Sequence, residues 1–514
     1  MSRPKKSYLD LFPNRSMLFD PDVIGEFIWP NELTLPADIN LSMTRDFWHF
    51  IAEDDSKRAD VISCLFYIIG SISYNISFYN FAKSVDFKNT QGLVFNYSSV
   101  AQLFDDKSPY QNQKHSIKGN LKDCIALAYQ KAWFSFLELS GKSANITITN
   151  DKILSHILQN LSLLRRPSAV LKIPISKNKV HDLDDITKCM EFIFRSVNKA
   201  TASNGIKLDQ NYSRILKLYI KSEVEKVYLD LSRVKKFLGQ AKINLCERSL
   251  SPYLISLYAA VCRRNGGEVH STFHGVSQTA NEPDISTMVN CTVFWSASKG
   301  FDTDARELRS RLPGRLAEVE IREMTASLGD CISSIAKVPA KIKKIAIMGR
   351  QVVMRYSAFN TLEFAAYLKL EFDLAFWLVQ QGYEVIYKAH PESDWRYFDT
   401  FFPKEVKINW SPFEDVVENF DAVFYHFGAS STLPSALESP VHVFMLKDGW
   451  HDKRLWPERI QKFFSEYCNM VPATIDQNDL ICLDFDVFAD LLVKPKPVSP
   501  PERIHDFYHR SSFS

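Results

Sequence analysis

The second half of the chain alternates short apolar runs with longer segments whose apolar residues recur every three or four positions. The runs are "KINLCE", "GGEVHSTF", "CTVFW", "KKIAIMG", "YEVIYK", "DAVFY" and "PVHVFML". Between them, "SPYLISLYAAVCRRN" and "LEFAAYLKLEFDLAFWLVQQ" have helical spacing, and "PFEDVVENF" and "SSTLPSALES" predict short helices. Strands that alternate with helices predict parallel sheets, so we expect two Rossmann-like α/β domains in tandem, facing a cleft.

The first 240 residues show a less regular pattern. Two segments, "DITKCMEFIFRSVNKATA" and "SRILKLYIKSEVEKVYLDLSRVKKFLG", have helical periodicity, whereas "GLVFNYSSV" and "SAVLKIPI" resemble strands. The apolar stretch "VISCLFYIIGSISYNISFY" is interrupted by Ser, Tyr and Asn, which favours a buried helix or strand pair over a membrane span. We therefore expect extra α/β elements at the N-terminus, of undetermined topology.

A polar segment that contains Pro339 and ends in lysines separates the two regular regions. This composition is typical of an interdomain linker. We expect an acceptor-side domain over residues 1–325, a linker over 326–342 and a nucleotide-sugar domain over 343–480. Residues 481–514 would form a tail that packs back on the first domain.

Charge and cysteine content narrow the class of protein. The 62 Lys and Arg residues nearly balance the 60 Asp and Glu residues, so no overall field attracts nucleic acid, and any anion site is local. The nine cysteines have no C-x-x-C pair or metal-ligand spacing, which favours reduced thiols in a cytoplasmic protein. The start of the chain lacks the apolar core of a signal peptide.

Candidate chemistry lies where the predicted strands of the second domain end. Lys388 and His390 follow "YEVIY", and Arg350 follows "KKIAIMG". Carboxyl ends of parallel strands meet at one edge of a sheet, where ligands of such domains bind. Two cations and an imidazole at this edge predict a phosphate site.

The segment "HFGASSTLPSALES" adds hydroxyl groups at the same edge. Ser430, Ser431 and Thr432 precede a predicted helix, where they would either bind a phosphate or cap the helix. Glu438 closes that helix and would accept hydroxyl groups, as from a ribose, or face solvent. The sequence leaves both pairs of alternatives open.

Three residues of the first domain are candidates for proton transfer. His274 follows the strand "EVHSTF", and Glu282 and Asp284 follow in "NEPD". Each has a side chain that serves as a general base in enzymes. The sequence does not select among them.

Taken together, "FHG" at 273–275, "KAHP" at 388–391 and "DAVFYHFGASSTLPSALESPVHVFML" at 421–446 resemble a family of enzymes. They are similar to the GT-B glycosyltransferases of bacterial surface polysaccharide synthesis. Within that superfamily the resemblance is to capsule Kdo transferases, polysialyltransferases and teichoic-acid glycerophosphotransferases. It covers roughly residues 240 to 450.

The resemblance implies a role for each matching residue. His390 would contact the donor phosphate, Ser430 and Ser431 the phosphate or a sugar carboxylate, Glu438 the ribose, and His274 the reaction centre. The donor would be a nucleotide sugar bound without a cofactor or an essential metal. The chain lacks the acidic tripeptide of related sialyltransferases, so the catalytic base stays open.

From these features we expect a glycosyltransferase that moves a sugar to a surface polysaccharide or lipopolysaccharide. A Kdo or nonulosonic sugar on CMP is slightly preferred, because the hydroxyl and cationic groups suit its carboxylate. The acceptor would be a glycan or lipid-linked glycan, with peripheral association at the inner membrane face allowed. The alternatives are a UDP-sugar-using transferase or epimerase, and a non-catalytic protein that binds a nucleotide sugar or serves as a scaffold.

Overall fold

The computed structural model contains two parallel α/β sheets and a layer of helices. This architecture confirms the predicted fold class of two Rossmann-like units with additional N-terminal elements. The described residues are 6–7, 27–28, 35–54, 56–84, 139, 144–146, 183–247, 253–272, 288–296, 306, 309–310, 314, 318–323, 341–349, 358–390, 393, 402–426, 430, 432–437, 439–448, 458–476 and 480–497.

The N-terminal elements are mainly helical within these ranges. They are β1 (Lys6–Ser7), β2 (Phe27–Ile28), α1 (Leu35–Glu53), α2 (Lys57–Cys64), α3 (Phe66–Ser84), α4 (Leu183–Ser203) and α5 (Gln210–Leu238). The strands β1 and β2 pair in parallel. The helix α5 begins after Asp209, whose carboxylate accepts the Tyr212 N–H at 2.8 Å, and ends at Gly239. Both helical segments predicted between residues 183 and 239 are confirmed.

The long apolar stretch of the sequence lies in α2 and α3, and many of its side chains are buried in the core. This confirms the helical form of the prediction. No single described helix is long and apolar enough to cross a membrane. The pair formed by α2 and residues Phe66–Ser77 of α3 meets that length and composition test together, with a bend of 49° between them.

The first sheet has five described strands, all parallel and in chain order. They are β3 (Ala144–Ile146), β4 (Ile243–Glu247), β5 (Val269–Thr272), β6 (Val293–Ser296) and β7 (Glu320–Glu323), and α6 (Tyr253–Arg264) connects β4 to β5. The helix α2 is joined to α6 by Asp60, which accepts hydrogen bonds from Arg263 Nη2 at 2.7 Å and Arg264 Nε at 2.6 Å. This ion pair ties the helical layer to the first sheet.

The second sheet has seven described strands and a different strand order. They are β8 (Lys344–Met348), β9 (Glu384–Lys388), β10 (Lys407–Asn409), β11 (Ala422–Tyr425), β12 (His442–Asp448), β13 (Asn469–Ile475) and β14 (Ile481–Leu483). The order is β10-β9-β8-β11-β12-β13-β14, antiparallel only between β13 and β14. The strands β9 and β10 thus lie on one side of β8, and β11 and the later strands lie on the other side.

Apolar layers cover both faces of the second sheet. The helices around it are α7 (Ala358–Gln380), α8 (Leu433–Leu437), α9 (Glu458–Tyr467) and α10 (Phe485–Val493). Leu374 of α7 and Phe488 of α10 belong to the core on one face, and Leu433 of α8 and Phe464 of α9 to the core on the other. Strand residues alternate between these two cores, as the pleat requires.

One predicted helix differs from the structure. The segment "PFEDVVENF" forms two 3₁₀ turns, Phe413–Asp415 and Val417–Asn419, separated by Val416 at φ −127°. The segment "SSTLPSALES" contains the predicted short helix, α8, with five described residues. The linker boundaries remain predictions. Within the predicted tail, β14 pairs with β13 and Phe488 of α10 packs on Phe424 and Phe444, so residues 481–493 belong to the second sheet and its helices, not to the first domain.

Candidate functional site

The strand order creates a topological switch point between β8 and β11. Parallel sheets of this type bind ligands at such points, outside the carboxyl ends of the strands. The strands that end there are β8 at Met348, its neighbour β9 at Lys388, and β11 at Tyr425. Lys388 pairs with Met348, and Tyr425 extends the register of β11 and β8 by one residue. The three residues form one row and face the same side of the sheet.

Lys388 is a buried cation in this row. Only 5% of the residue is exposed, and its Nζ donates to the carbonyl oxygen of Ala389 at 3.0 Å. Burial lowers the pKa of Lys388 below the ordinary lysine value, and the carboxylate of Glu414 acts in the opposite direction. The site therefore holds an ammonium group that is poorly solvated.

Hydroxyl groups lie at the other end of the row. Tyr425 Oη is 3.0 Å from Thr432 Oγ1, which is 2.8 Å from Ser430 Oγ. Burial raises the pKa of Tyr425, and Glu414 adds to this shift, as it also acts on Lys388. One carboxylate is thus electrostatically coupled to both ends of the row.

This geometry changes the interpretation of the serine-rich segment. Ser430 Oγ accepts the Thr432 N–H at 3.3 Å, which is a local capping contact of the kind that needs no ligand. Because α8 has only five residues, a phosphate here would be bound by side chains and not by a helix terminus. The hydroxyl groups retain further hydrogen-bonding capacity, since each has one donor and two acceptor positions.

Of the other predicted residues, His390 is half-buried and lies two positions beyond the end of β9. The structure thus brings Lys388, Ser430 and Thr432 to one edge, with His390 next to them in the chain. The remaining candidates lie outside the described residues: His274, Glu282, Asp284, Arg350, Ser431 and Glu438. Their assignments stay predictions.

The first sheet carries a buried carboxylate at its own carboxyl edge. Glu247 is fully buried at the end of β4, beside Ser271 of β5 in the parallel register. The strand β5 ends at Thr272, two residues before His274. The sequence prediction missed Glu247 because "KINLCE" was interpreted only as a strand.

A second polar group, also missed from the sequence, lies on the opposite face of the second sheet at the switch point. Glu371, in the middle of α7, accepts a hydrogen bond from Tyr387 Oη at 2.7 Å and contacts Nε2 of His426. The ring of Tyr367 packs on His426 with centroids 5.1 Å apart. All four residues are buried. The available signal was the glutamate at position 371, within the largely apolar sequence of α7.

Gly349 completes this second group. It follows β8, and a Cβ atom at this position would overlap the phenol ring of Tyr387. Its N–H donates to the carbonyl oxygen of Lys388 at 3.0 Å, which extends the pairing of β8 and β9 by one residue. A glycine is required here because the Tyr387 ring occupies the space of a side chain.

The two groups differ in their chemistry. The row on one face offers an ammonium group and hydroxyl groups, which neutralise and orient an anion. The group on the other face is a closed hydrogen-bonded network. Among the described residues, no cluster of three or more His, Cys, Asp or Glu side chains has the geometry of a metal site. In the same part of the chain seven cysteines are free thiols, and six of them are buried.

No protein-family model and no curated protein sequence matches the chain. Two solved structures have a similar fold. One is the S. aureus MnaA–UDP co-structure, at 11% identity and a TM-score of 0.30, covering 60% of this chain and 80% of that chain. The other is a putative UDP-N-acetylglucosamine 2-epimerase from Listeria monocytogenes, at 10% identity and a TM-score of 0.31, covering 75% and 87%.

Proposed function

We propose that the chain is an enzyme that acts on a nucleotide sugar and binds the phosphate of that substrate at the carboxyl edge of its second sheet. The observation that carries the proposal is Lys388, a buried cation beside the switch point. A cation with a pKa lowered by burial is unfavourable for the free protein, and an anionic ligand would compensate for it. The hydroxyl groups of Ser430 and Thr432 lie near the other end of the same row.

The chemical role of this row follows from its charge. An enzyme that breaks the bond between a sugar and a nucleotide phosphate must stabilise negative charge on the departing phosphate. The Lys388 ammonium group would neutralise that charge, and hydroxyl donors would orient the phosphate oxygens. Because the site is poorly solvated, this attraction is stronger than it would be in water.

The proposal extends to the identity of the nucleotide, the sugar and the acceptor. The motif resemblance supports transfer of a Kdo or nonulosonic sugar from CMP to a surface glycan, by a cytoplasmic protein at the inner membrane face. The same edge would equally accept a UDP-sugar for transfer or epimerisation, since a phosphate is the group recognised in each case. Nucleotide binding therefore has to be measured with both CMP and UDP.

Thermal shift and calorimetric titration of the full chain with CMP, CDP and UDP test the proposal. At 100 times its dissociation constant, a nucleotide should stabilise the fold by about 2.7 kcal/mol. Lys388→Met should abolish this stabilisation. Lys407→Met is the matched control, because the Lys407 side chain is 69% exposed and its Nζ donates to Glu384 Oε1 at the start of β9. If none of the three nucleotides stabilises the wild-type protein, the donor site does not exist.

Product analysis separates the remaining alternatives. A transferase forms a glycosidic bond to an added acceptor glycan, whereas an epimerase converts the sugar with no acceptor present. A non-catalytic binding protein would be stabilised by the nucleotide and leave the nucleotide sugar unchanged. These three outcomes are distinguishable by mass spectrometry and NMR of the sugar products.

A further inference from the structure

The network of Glu371, Tyr387 and His426 joins three elements at the switch point. Glu371 comes from α7, Tyr387 from β9, and His426 directly follows β11. The two carboxylate oxygens of Glu371 are used separately, Oε2 by Tyr387 and Oε1 by His426. One side chain of the helix thus contacts both strands that flank β8.

This arrangement selects one tautomer of the neutral histidine ring. An ionised carboxylate only accepts hydrogen bonds, so His426 must donate to it through Nε2–H. A neutral imidazole carries a single N–H, which leaves Nδ1 of His426 as an acceptor on the side of the ring nearer the main chain. Glu371 therefore sets the tautomer of the ring as well as its orientation.

Packing restricts the other members of the network. The side chain of His426 is fully buried, and Tyr367 covers its ring. Tyr387 is held against Gly349, where no side chain would fit. His426 has little freedom to rotate, because its partners are themselves fixed by the core.

The position of His426 connects this network to the proposed phosphate site. His426 is four residues before Ser430 and six before Thr432. Tyr425, the preceding residue, faces the other side of the sheet and lies 3.0 Å from Thr432 through their hydroxyl groups. Adjacent residues of β11 and its extension thus anchor the two faces of the same edge.

A second buried Tyr–Glu contact in the molecule provides a comparison. Tyr67 of α3 donates to Oε2 of Glu223 in α5. This pair lies within the helical layer and outside the second sheet. Glu223 is buried like Glu371, whereas Tyr67 is only partly buried and Lys226 Nζ also contacts Glu223 at 3.4 Å. The pair is not linked to the switch point.

We propose that Glu371 is a positioning residue for nucleotide binding. By accepting hydrogen bonds from Tyr387 and His426, it fixes the chain at the end of β11 in the geometry in which Ser430 and Thr432 face a phosphate. The inference rests on the proposed nucleotide site. It adds that the network on one face of the sheet controls affinity on the other.

Nucleotide affinity of matched variants tests this role. A glutamine offers one acceptor oxygen and one donor group, so Glu371→Gln cannot accept from both Tyr387 and His426. We expect it to weaken binding of UDP or CMP, whichever binds the wild-type protein, by at least about tenfold, or 1.4 kcal/mol. The control Glu223→Gln removes a buried carboxylate of the same kind and should leave that affinity within about twofold.

The ring tautomer gives a second, independent measurement. In protein labelled with ¹⁵N-histidine, the ring nitrogen shifts of His426, assigned with His426→Asn, should show the Nε2–H form in the wild type. Finding the Nδ1–H form there overturns the proposal, even if Glu371→Gln does not fold. Tyr387→Phe, which leaves the Glu371–His426 contact in place, should retain the wild-type tautomer.

The outcomes separate this inference from the proposed function. If the wild-type protein binds nucleotide and Glu371→Gln binds it equally well, the positioning role is wrong and the nucleotide site stands. If Glu223→Gln weakens binding as much as Glu371→Gln, the effect is one of general stability and the inference fails. If the wild-type protein binds none of the nucleotides, both proposals fall together.

Discussion

At the scale of single residues, Lys388 opposes the stability of the fold that contains it. Its ammonium group lies at a sheet edge where 5% of the residue is exposed, and burial lowers its pKa. The unfolded chain hydrates the same group fully. A protein that retains such a cation loses stability at neutral pH, which is common where a residue serves binding or catalysis.

The effect has a definite pH dependence. The pKa of Lys388 is lower in the folded protein than in the unfolded chain. Between these two pKa values the unfolded chain binds more protons, so the free-energy cost of burying Lys388 falls as pH rises. Lys388→Met should therefore raise the free energy of unfolding at neutral pH, and its advantage should shrink toward about pH 10.4, the ordinary lysine pKa. Urea unfolding of both proteins from about pH 6 to about pH 10.4 measures this. A gain in the free energy of unfolding of Lys388→Met that grows with pH would contradict this prediction. The exposed control, Lys407→Met, should show no such trend.

At the scale of elements, the second sheet is held at the switch point by close approach between β8 and β9. Gly349 extends their pairing, and the ring of Tyr387 fills the space where a side chain would be. A second glycine, Gly70, has no such packing role and lowers the stability of its helix. Gly70 lies inside the helix α3, where a Cβ atom would have as its nearest neighbour Asn40 Nδ2 at 4.0 Å.

Replacing glycine by alanine should thus change the free energy of unfolding in opposite directions at these two positions. Gly349→Ala must displace Tyr387 from Glu371, and we expect it to destabilise the protein by about 1 to 3 kcal/mol. Gly70→Ala removes a poor helix former without a clash and should stabilise it by about 0.5 to 1 kcal/mol. Equilibrium urea unfolding gives both values. A neutral Gly349→Ala would show that the Tyr387 ring is free to move.

Some elements could be predicted from the sequence, and others could not. The strands β8, β9, β11 and β12 were predictable because each is an apolar run next to a helical segment, and this placed Lys388 at a strand end. The network around Glu371 was not, because it depends on the strand order and on which face of α7 meets the sheet. The pattern of apolar residues along the sequence indicates neither the strand order nor the face of α7 that meets the sheet. The turns at residues 413–419 were missed because four apolar positions in nine residues fit a helix and two 3₁₀ turns equally well.

At the scale of the whole molecule, a buried ion pair contributes to the contact between the helical layer and the first sheet. Asp60 of α2 binds the two adjacent arginines of α6, Arg263 and Arg264, and only 7% of Asp60 is exposed. Removing the carboxylate leaves two guanidinium groups facing each other at a partly buried contact. The cost of such a change exceeds that of an ordinary surface pair.

Asp60→Asn should lower the free energy of unfolding by about 3 kcal/mol. Asp184→Asn is the control, because it breaks the exposed pair between Asp184 and Lys188 and should produce no measurable change. Urea unfolding followed by circular dichroism compares the two variants. Equal effects would show that the contact between α2 and α6 contributes nothing beyond surface charge. Nucleotide affinity should be the same in both.

The switch point also has a consequence for biosynthesis. The strand β8 pairs on one side with β9 and on the other with β11, which leaves the ribosome later than β9. At about 5 to 20 residues per second, the segment between Lys388 and Ala422 takes a few seconds to emerge. During that interval one edge of β8 presents unpaired N–H and C=O groups to other nascent chains. The strand whose end helps to form the proposed substrate site is thus open to misassembly for part of the time in which the protein is being made.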